Sequence, residues 1–96
     1  MIERTFMQGR VTIDTAGKMR LLLAEAIRSQ GGRVVIDISQ ITYMDTSGLA
    51  TLSEALRIAH QKGKRFVLRG IQEQPRRLFE VTELDHVFEI EQIGNL

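Results

Sequence analysis

Asp45, Thr46, Ser47, Gly48 and Leu49 form the run of this chain best suited to chemistry. An acid, two hydroxyls and a glycine precede a stretch, Leu49 to Gln61, in which Leu49, Leu52, Leu56 and Ala59 recur at helical spacing. The run therefore opens a helix, where backbone N–H groups lack intrahelical partners and the positive end of the helix dipole lies. Two uses stand open. Thr46 or Ser47 caps the helix by accepting a bond from an N–H two or three residues on. Alternatively, Ser47 is exposed on the turn and receives a phosphate, adding roughly −1.5 to −2 charges in a field that tolerates an anion. Asp45 beside it would then sharpen repulsion from a partner surface built against a neutral hydroxyl.

Other chemistries find less support. A hydrolase nucleophile elbow needs a glycine upstream of the serine and a histidine base within reach. Here Asp45 and Thr46 precede Ser47, His60 lies more than three turns along the same helix, and His86 stands just before a last strand. His60 reads as a solvated residue and His86 as a loop or strand-edge residue. No GxGxxG or Walker lysine pattern offers a nucleotide site. Asp14, Asp37 and Asp45 could gather at strand ends, but carboxylates there more often cap helices and loops, so no metal is expected. Lys62, Lys64, Arg65, Arg69, Arg76 and Arg77 lack the interleaved aromatics of a nucleic-acid platform and read as a solvated face. No other position offers evident chemistry, and no cofactor is expected.

Composition is that of an ordinary globular domain. The chain has 96 residues, is 43% hydrophobic and 26% charged, and carries a formal charge of +1. One domain over residues 1–96 is expected, with no charge-based reason for a nucleic-acid or membrane partner. Absence of cysteine excludes disulfides and thiol catalysis and fits a reducing compartment. No apolar run approaches the roughly 18 residues of a bilayer span. Met1 to Arg4 lacks the basic-then-apolar order of a signal peptide. The default expectation is the cytoplasm, without membrane insertion.

The elements that must position the run follow from periodicity. Ile2 to Met7 could form a short strand, Gly9 marks a turn, and Val11 to Ile13 alternates as a half-buried strand does. These two could pair as an antiparallel hairpin at the sheet edge. Asp14-Thr15 supplies a cap for a helix whose stripe is Met19, Leu22, Leu23, Ala26 and Ile27, ended by Gly31-Gly32. Val34 to Ile38 is nearly continuous and β-branched, as in a central strand covered on both faces. It is expected between Val11–Ile13 and Phe66–Leu68, with Ser39 to Met44 a connection. Gly63 closes the second helix, Gln74-Pro75 opens a third with Leu78 and Phe79 inward, and Val87 to Ile90 is a last strand. Alternating strands and helices imply an α/β fold: a small mixed, mostly parallel sheet backed by helices.

Three segments carry a family resemblance. VVIDISQITYMDTSGLATL, from Val34, is similar to the strand, acidic residue, apolar turn and helix start of the STAS domain, the module of bacterial anti-sigma-factor antagonists. HQKGKRFVLRGIQEQPRRLFEVTELDHVF, from His60, resembles that domain's later strand, loop, third helix and Leu-Asp-x-Val-Phe ending. GRVTIDTAGKMRLLL, from Gly9, is more loosely similar to its first strand end and helix, with Thr12 where the family has an acid. The resemblance implies that Ser47 is the phosphate acceptor for a serine kinase that doubles as an anti-sigma factor, and that a phosphatase reverses the modification. ATP and magnesium would come with the kinase. Asp45, Thr46, Gly48, Asp37, Thr12 and Asp14 would make up the partner-binding surface. STAS domains also serve as accessory subunits of lipid-transporting ABC complexes, where the same turn docks on an ATPase. That is the alternative role.

Overall fold

The computed structural model describes residues 7–92. In chain order the elements are β1 (Gly9–Val11), α1 (Ala16–Ser29), β2 (Arg33–Asp37), β3 (Ile41–Met44), α2 (Thr46–Gln61), β4 (Arg65–Arg69), α3 (Glu73–Val81) and β5 (Glu89–Glu91). Of the strand expected at Ile2 to Met7, residues 2–6 lie outside the described residues.

The helices form where apolar residues recur at three and four. In α1, Met19, Leu23 and Ile27 are buried, with Leu22 and Ala26 at the margin of the core. Gln30 ends the helix in extended conformation. The Lys64 ammonium donates to the carbonyls of Ile27 and Gln30, placing a cation at the negative end of α1. In α2, Leu49, Leu52, Leu56 and Ala59 are all buried, as their spacing predicts, and Gly63 closes the helix at φ +72°. Phe79 of α3 packs on Phe88, ring centroids 5.1 Å apart, and Phe88 in turn meets Phe66 of β4 at 6.5 Å.

All strand pairings among the described residues are parallel. The fold is α/β with parallel strands as expected, but the strands form two hydrogen-bonded sheets, β1-β3 and β2-β4-β5, and their order is not the expected one. β4, with Phe66, Val67 and Leu68 buried, is the central strand of the order β2-β4-β5. Val34 to Ile38 therefore does not sit between Val11 and Phe66. β1 pairs instead with β3, Val11 opposite Met44, in the segment expected to be a connection. The cause is local. Asp37 Oδ1 accepts the Ser39 N–H at 2.9 Å, and the Ile41 N–H reaches the Ile38 carbonyl at 3.1 Å. This turn breaks an extended course that resumes at Ile41, and the polar pair Ser39-Gln40 hides the second strand from a hydropathy reading. Ile13 departs too: β1 ends at Val11, and Ile13 is 75% exposed in the following turn. The last strand is Glu89–Glu91, two positions later than Val87 suggests at its start.

Two glutamines complete strands that lack a neighbour at that point. Gln74 Oε1 accepts the Met44 N–H at 2.8 Å, and Gln74 Nε2 donates to the Met44 carbonyl at 3.0 Å. Gln30 treats Val35 the same way, accepting its N–H at 3.0 Å and donating to its carbonyl at 3.3 Å. Each side-chain amide stands in for a strand. Since Met44 directs both backbone groups to Gln74, that edge is the one facing away from β1. No helix among the described residues is long and apolar enough to cross a membrane.

Two substitutions check this architecture. Leu52 is fully buried, and Leu52→Ala is expected to lower stability by about 2–5 kcal/mol in denaturant unfolding. Gln74→Leu keeps the volume but strands two backbone groups of a buried residue. A loss of about 1–3 kcal/mol is expected, with faster hydrogen exchange at the Met44 amide.

Candidate functional site

The site forms where β3 runs into α2. Asp45 is the last extended residue, at φ −102° and ψ −174°, and its N–H donates to the Val11 carbonyl at 3.0 Å. The ladder between β1 and β3 thus carries Asp45 alongside the end of β1, just before Thr12. The Asp45 carboxylate accepts the N–H of Ser47 at 2.9 Å and of Gly48 at 3.2 Å. Asp45 is therefore the N-cap, and neither Thr46 nor Ser47 has that task. A carboxylate is well suited to it, because it meets both free N–H groups and the positive end of the dipole.

Relieved of capping, Ser47 is the second residue of the helix. It is half-buried, and its hydroxyl has no hydrogen-bond partner among the described residues. Its carbonyl accepts the buried Thr51 hydroxyl at 2.8 Å. Thr46 precedes it and is exposed.

Gly48 is buried beneath this turn. A Cβ there would stand 2.7 Å from Met44 Cγ and 2.9 Å from Val11 Cγ1. Absence of a side chain lets the first turn of α2 rest directly on β1 and β3, which sets the depth of Ser47.

The remaining expected residues occupy the surrounding turns. Thr12 is half-buried, and its carbonyl accepts the N–H groups of Thr15 at 2.9 Å and Ala16 at 2.8 Å. Asp14 is exposed in the same turn, and its N–H donates to Thr12 Oγ1 at 3.4 Å. Thr15, expected with Asp14 to cap α1, makes no side-chain cap bond and instead accepts the Thr12 N–H at 3.0 Å. Asp37 shapes the bend between β2 and β3 and makes no hydrogen bond to the Ser47 turn. The structure thus brings Thr12 and Asp45 together through the strand ladder, and leaves Asp37 to a separate turn.

Residues that the sequence did not single out line the same surface. Ser47 shares an open groove between α1 and α2 with Ile13, Arg20, Ala50, Glu54 and Ile58. Ile13 carried a signal, since Thr12 and Asp14-Thr15 around it are turn residues. Arg20 and Glu54 carried none, because only the packing of α1 against α2 decides which charged residues border the seam. His60 and His86 are both exposed, and His60 lies about 20 Å along α2 from Ser47.

Comparison with known proteins bears on this arrangement. The profile of the family described as Mlab, STAS domain matches residues 7–92. The anti-sigma-B factor antagonist of Listeria monocytogenes is 31% identical over 88 residues, covering 92% of this chain and 77% of its own length. That of Staphylococcus aureus is 25% identical over 83 residues, covering 85% and 76%. In structure, a proposed anti-sigma factor antagonist from Thermotoga maritima superposes with a TM-score of 0.78 at 18% identity, covering 90% of this chain and 74% of its own. The anti-sigma factor antagonist SpoIIAA, in its unphosphorylated form, gives a TM-score of 0.63 at 16% identity, covering 100% and 86%. These neighbours share the fold, and the curated relatives carry names of binding regulators rather than of enzymes.

Gly48 offers the sharpest check of the geometry. In an exposed helix, glycine to alanine would stabilise by about 1 kcal/mol. Here the added methyl meets two fully buried side chains, one of them β-branched. Gly48→Ala is expected to destabilise by about 1–3 kcal/mol in denaturant unfolding.

Proposed function

This chain belongs to the STAS domain family, and we propose that it is an anti-sigma-factor antagonist switched by phosphorylation of Ser47. Unmodified, it binds a serine kinase that is also an anti-sigma factor, and so frees the sigma factor. Transfer of the γ-phosphate of ATP to Ser47 Oγ, with ADP leaving and the hydroxyl proton taken by the kinase, ends that binding. A phosphatase restores it. The chain itself catalyses nothing, and ATP and magnesium belong to the kinase. On this reading residues 1–96 act as one domain in the cytoplasm.

One observation carries the proposal. The capping bonds of α2 are made by Asp45, so the Ser47 hydroxyl is uncommitted among the described residues and can be modified without unmaking the helix. A phosphate there gains from the helix dipole and is tolerated by the fold. It also lies two residues from the Asp45 carboxylate, in a contact surface matched to a neutral side chain. A charge left unpaired when such a surface is desolvated costs several kcal/mol. Asp45, Thr46, Asp14 and Thr12 would contact the partner around Ser47, while Gly48 and Asp37 would act through the backbone shape they permit.

Intact-mass analysis tests the switch directly, after incubation with a histidine-kinase-like serine kinase encoded near this gene, ATP and magnesium. One phosphate is expected, absent in Ser47→Ala. Since Asp45 keeps the cap, Ser47→Ala is expected to change stability by no more than about 0.5 kcal/mol and to keep its partner. Ser47→Asp is expected to fold and to bind more weakly. If no phosphate appears and Ser47→Asp binds as well as the parent chain, phosphorylation is not the switch. Docking on the ATPase of a lipid-transport ABC complex then becomes the better reading.

A further inference from the structure

The groove beside Ser47 continues. It follows α2 from Ser47 to Lys62, a rise of roughly 22 Å. Leu23, Ile27 and Ala55 make its floor, and the half-buried Ile58 stands along it. Its charged border is one-sided. Arg20, Arg28, Lys62 and Lys64 face a single acid, Glu54. Four cations around one seam are a local concentration, because the whole chain is only +1. Arg28 is paired with Glu25, Glu54 with Arg57, and the Lys64 ammonium with two carbonyls. Arg20 and Lys62 have no carboxylate partner among the described residues.

We propose that this groove docks an amphipathic helix of a partner protein, its apolar stripe on Ile58 and Ala55 and its acidic residues against Arg20 and Lys62. The backbone groups of α1 and α2 are bonded within each helix, so an added strand would find no ladder here. A helix laid between two helices needs only side-chain contacts. A length of roughly 22 Å matches about four helical turns. The uncompensated cations select acidic residues on the guest. This extends the proposed function, and it rests on that reading only for regulation: a phosphate on Ser47 would put negative charge at one end of a groove holding an acidic guest.

Synthetic peptides of sixteen residues test docking without any kinase. One carries a leucine stripe with glutamates on its polar positions, and a second has every glutamate replaced by lysine. Amide chemical-shift mapping of the unmodified chain is expected to move Ala24, Ile27, Thr51, Ala55 and Ile58 with the acidic peptide and not with the basic one. The double variant Arg20→Glu and Lys62→Glu, checked for unchanged circular dichroism, is expected to bind the acidic peptide at least tenfold more weakly and to gain the basic one. Ser47→Asp is expected to weaken the acidic peptide several-fold. Equal binding of both peptides, shifts away from α1 and α2, or no binding would overturn the docking proposal. A failed phosphorylation experiment would leave the docking result standing, so the two readings fail separately.

Discussion

The close approach of α2 to the strands beneath it governs the rest of the molecule. At Gly48 the helix lies so near Val11 and Met44 that a methyl group has no room. That contact places the first turn of α2 over the junction of β1 and β3, and Asp45 becomes the residue between strand and helix. Its N–H completes the ladder to Val11 while its carboxylate holds the helix start. The half-buried setting of Ser47 and its shared groove with α1 follow from the depth at which Gly48 seats the helix. Site and core are thus one packing problem.

Much of the remaining order comes from polar side chains that finish what the backbone leaves open. Lys64 closes the carbonyl end of α1, and Asp37 makes the bend that separates β2 from β3. The charges on the outer strands contribute less. Arg65 hydrogen-bonds Glu89 and holds that carboxyl below its usual range, and Arg33 reaches Glu91, yet three of the four are exposed and Glu91 is only half-buried. Such pairs are individually worth little, and they serve register between β2, β4 and β5 more than stability.

Legibility in the sequence followed the strength of the local signal. The stripes of α1 and α2 were plain, because apolar residues three and four apart fall on one face only when the backbone is helical. The start of α2 is plain for the same reason, though the hydroxyls of Thr46 and Ser47 point to a cap one or two residues late. Serine, threonine and aspartate are nearly equal as caps, and the dihedral break at Asp45 decides among them. Strand order was not legible. Nothing in Val34 to Ile38 distinguishes an edge from a centre, since the neighbours of a strand are chosen by distant segments. β3 was hidden by Ser39-Gln40, and the groove partners Arg20 and Glu54 by the fact that helix pairing is a tertiary choice.

Gln30 and Gln74 have one more consequence. An uncovered strand edge invites any extended chain, whatever its sequence, because backbone recognises backbone. At Val35 and Met44 that invitation is already answered by an amide on the protein's own helices. A stray segment must displace two good hydrogen bonds before it can add there. A molecule built in this way can be abundant in a crowded solution and still choose its company by shape and charge.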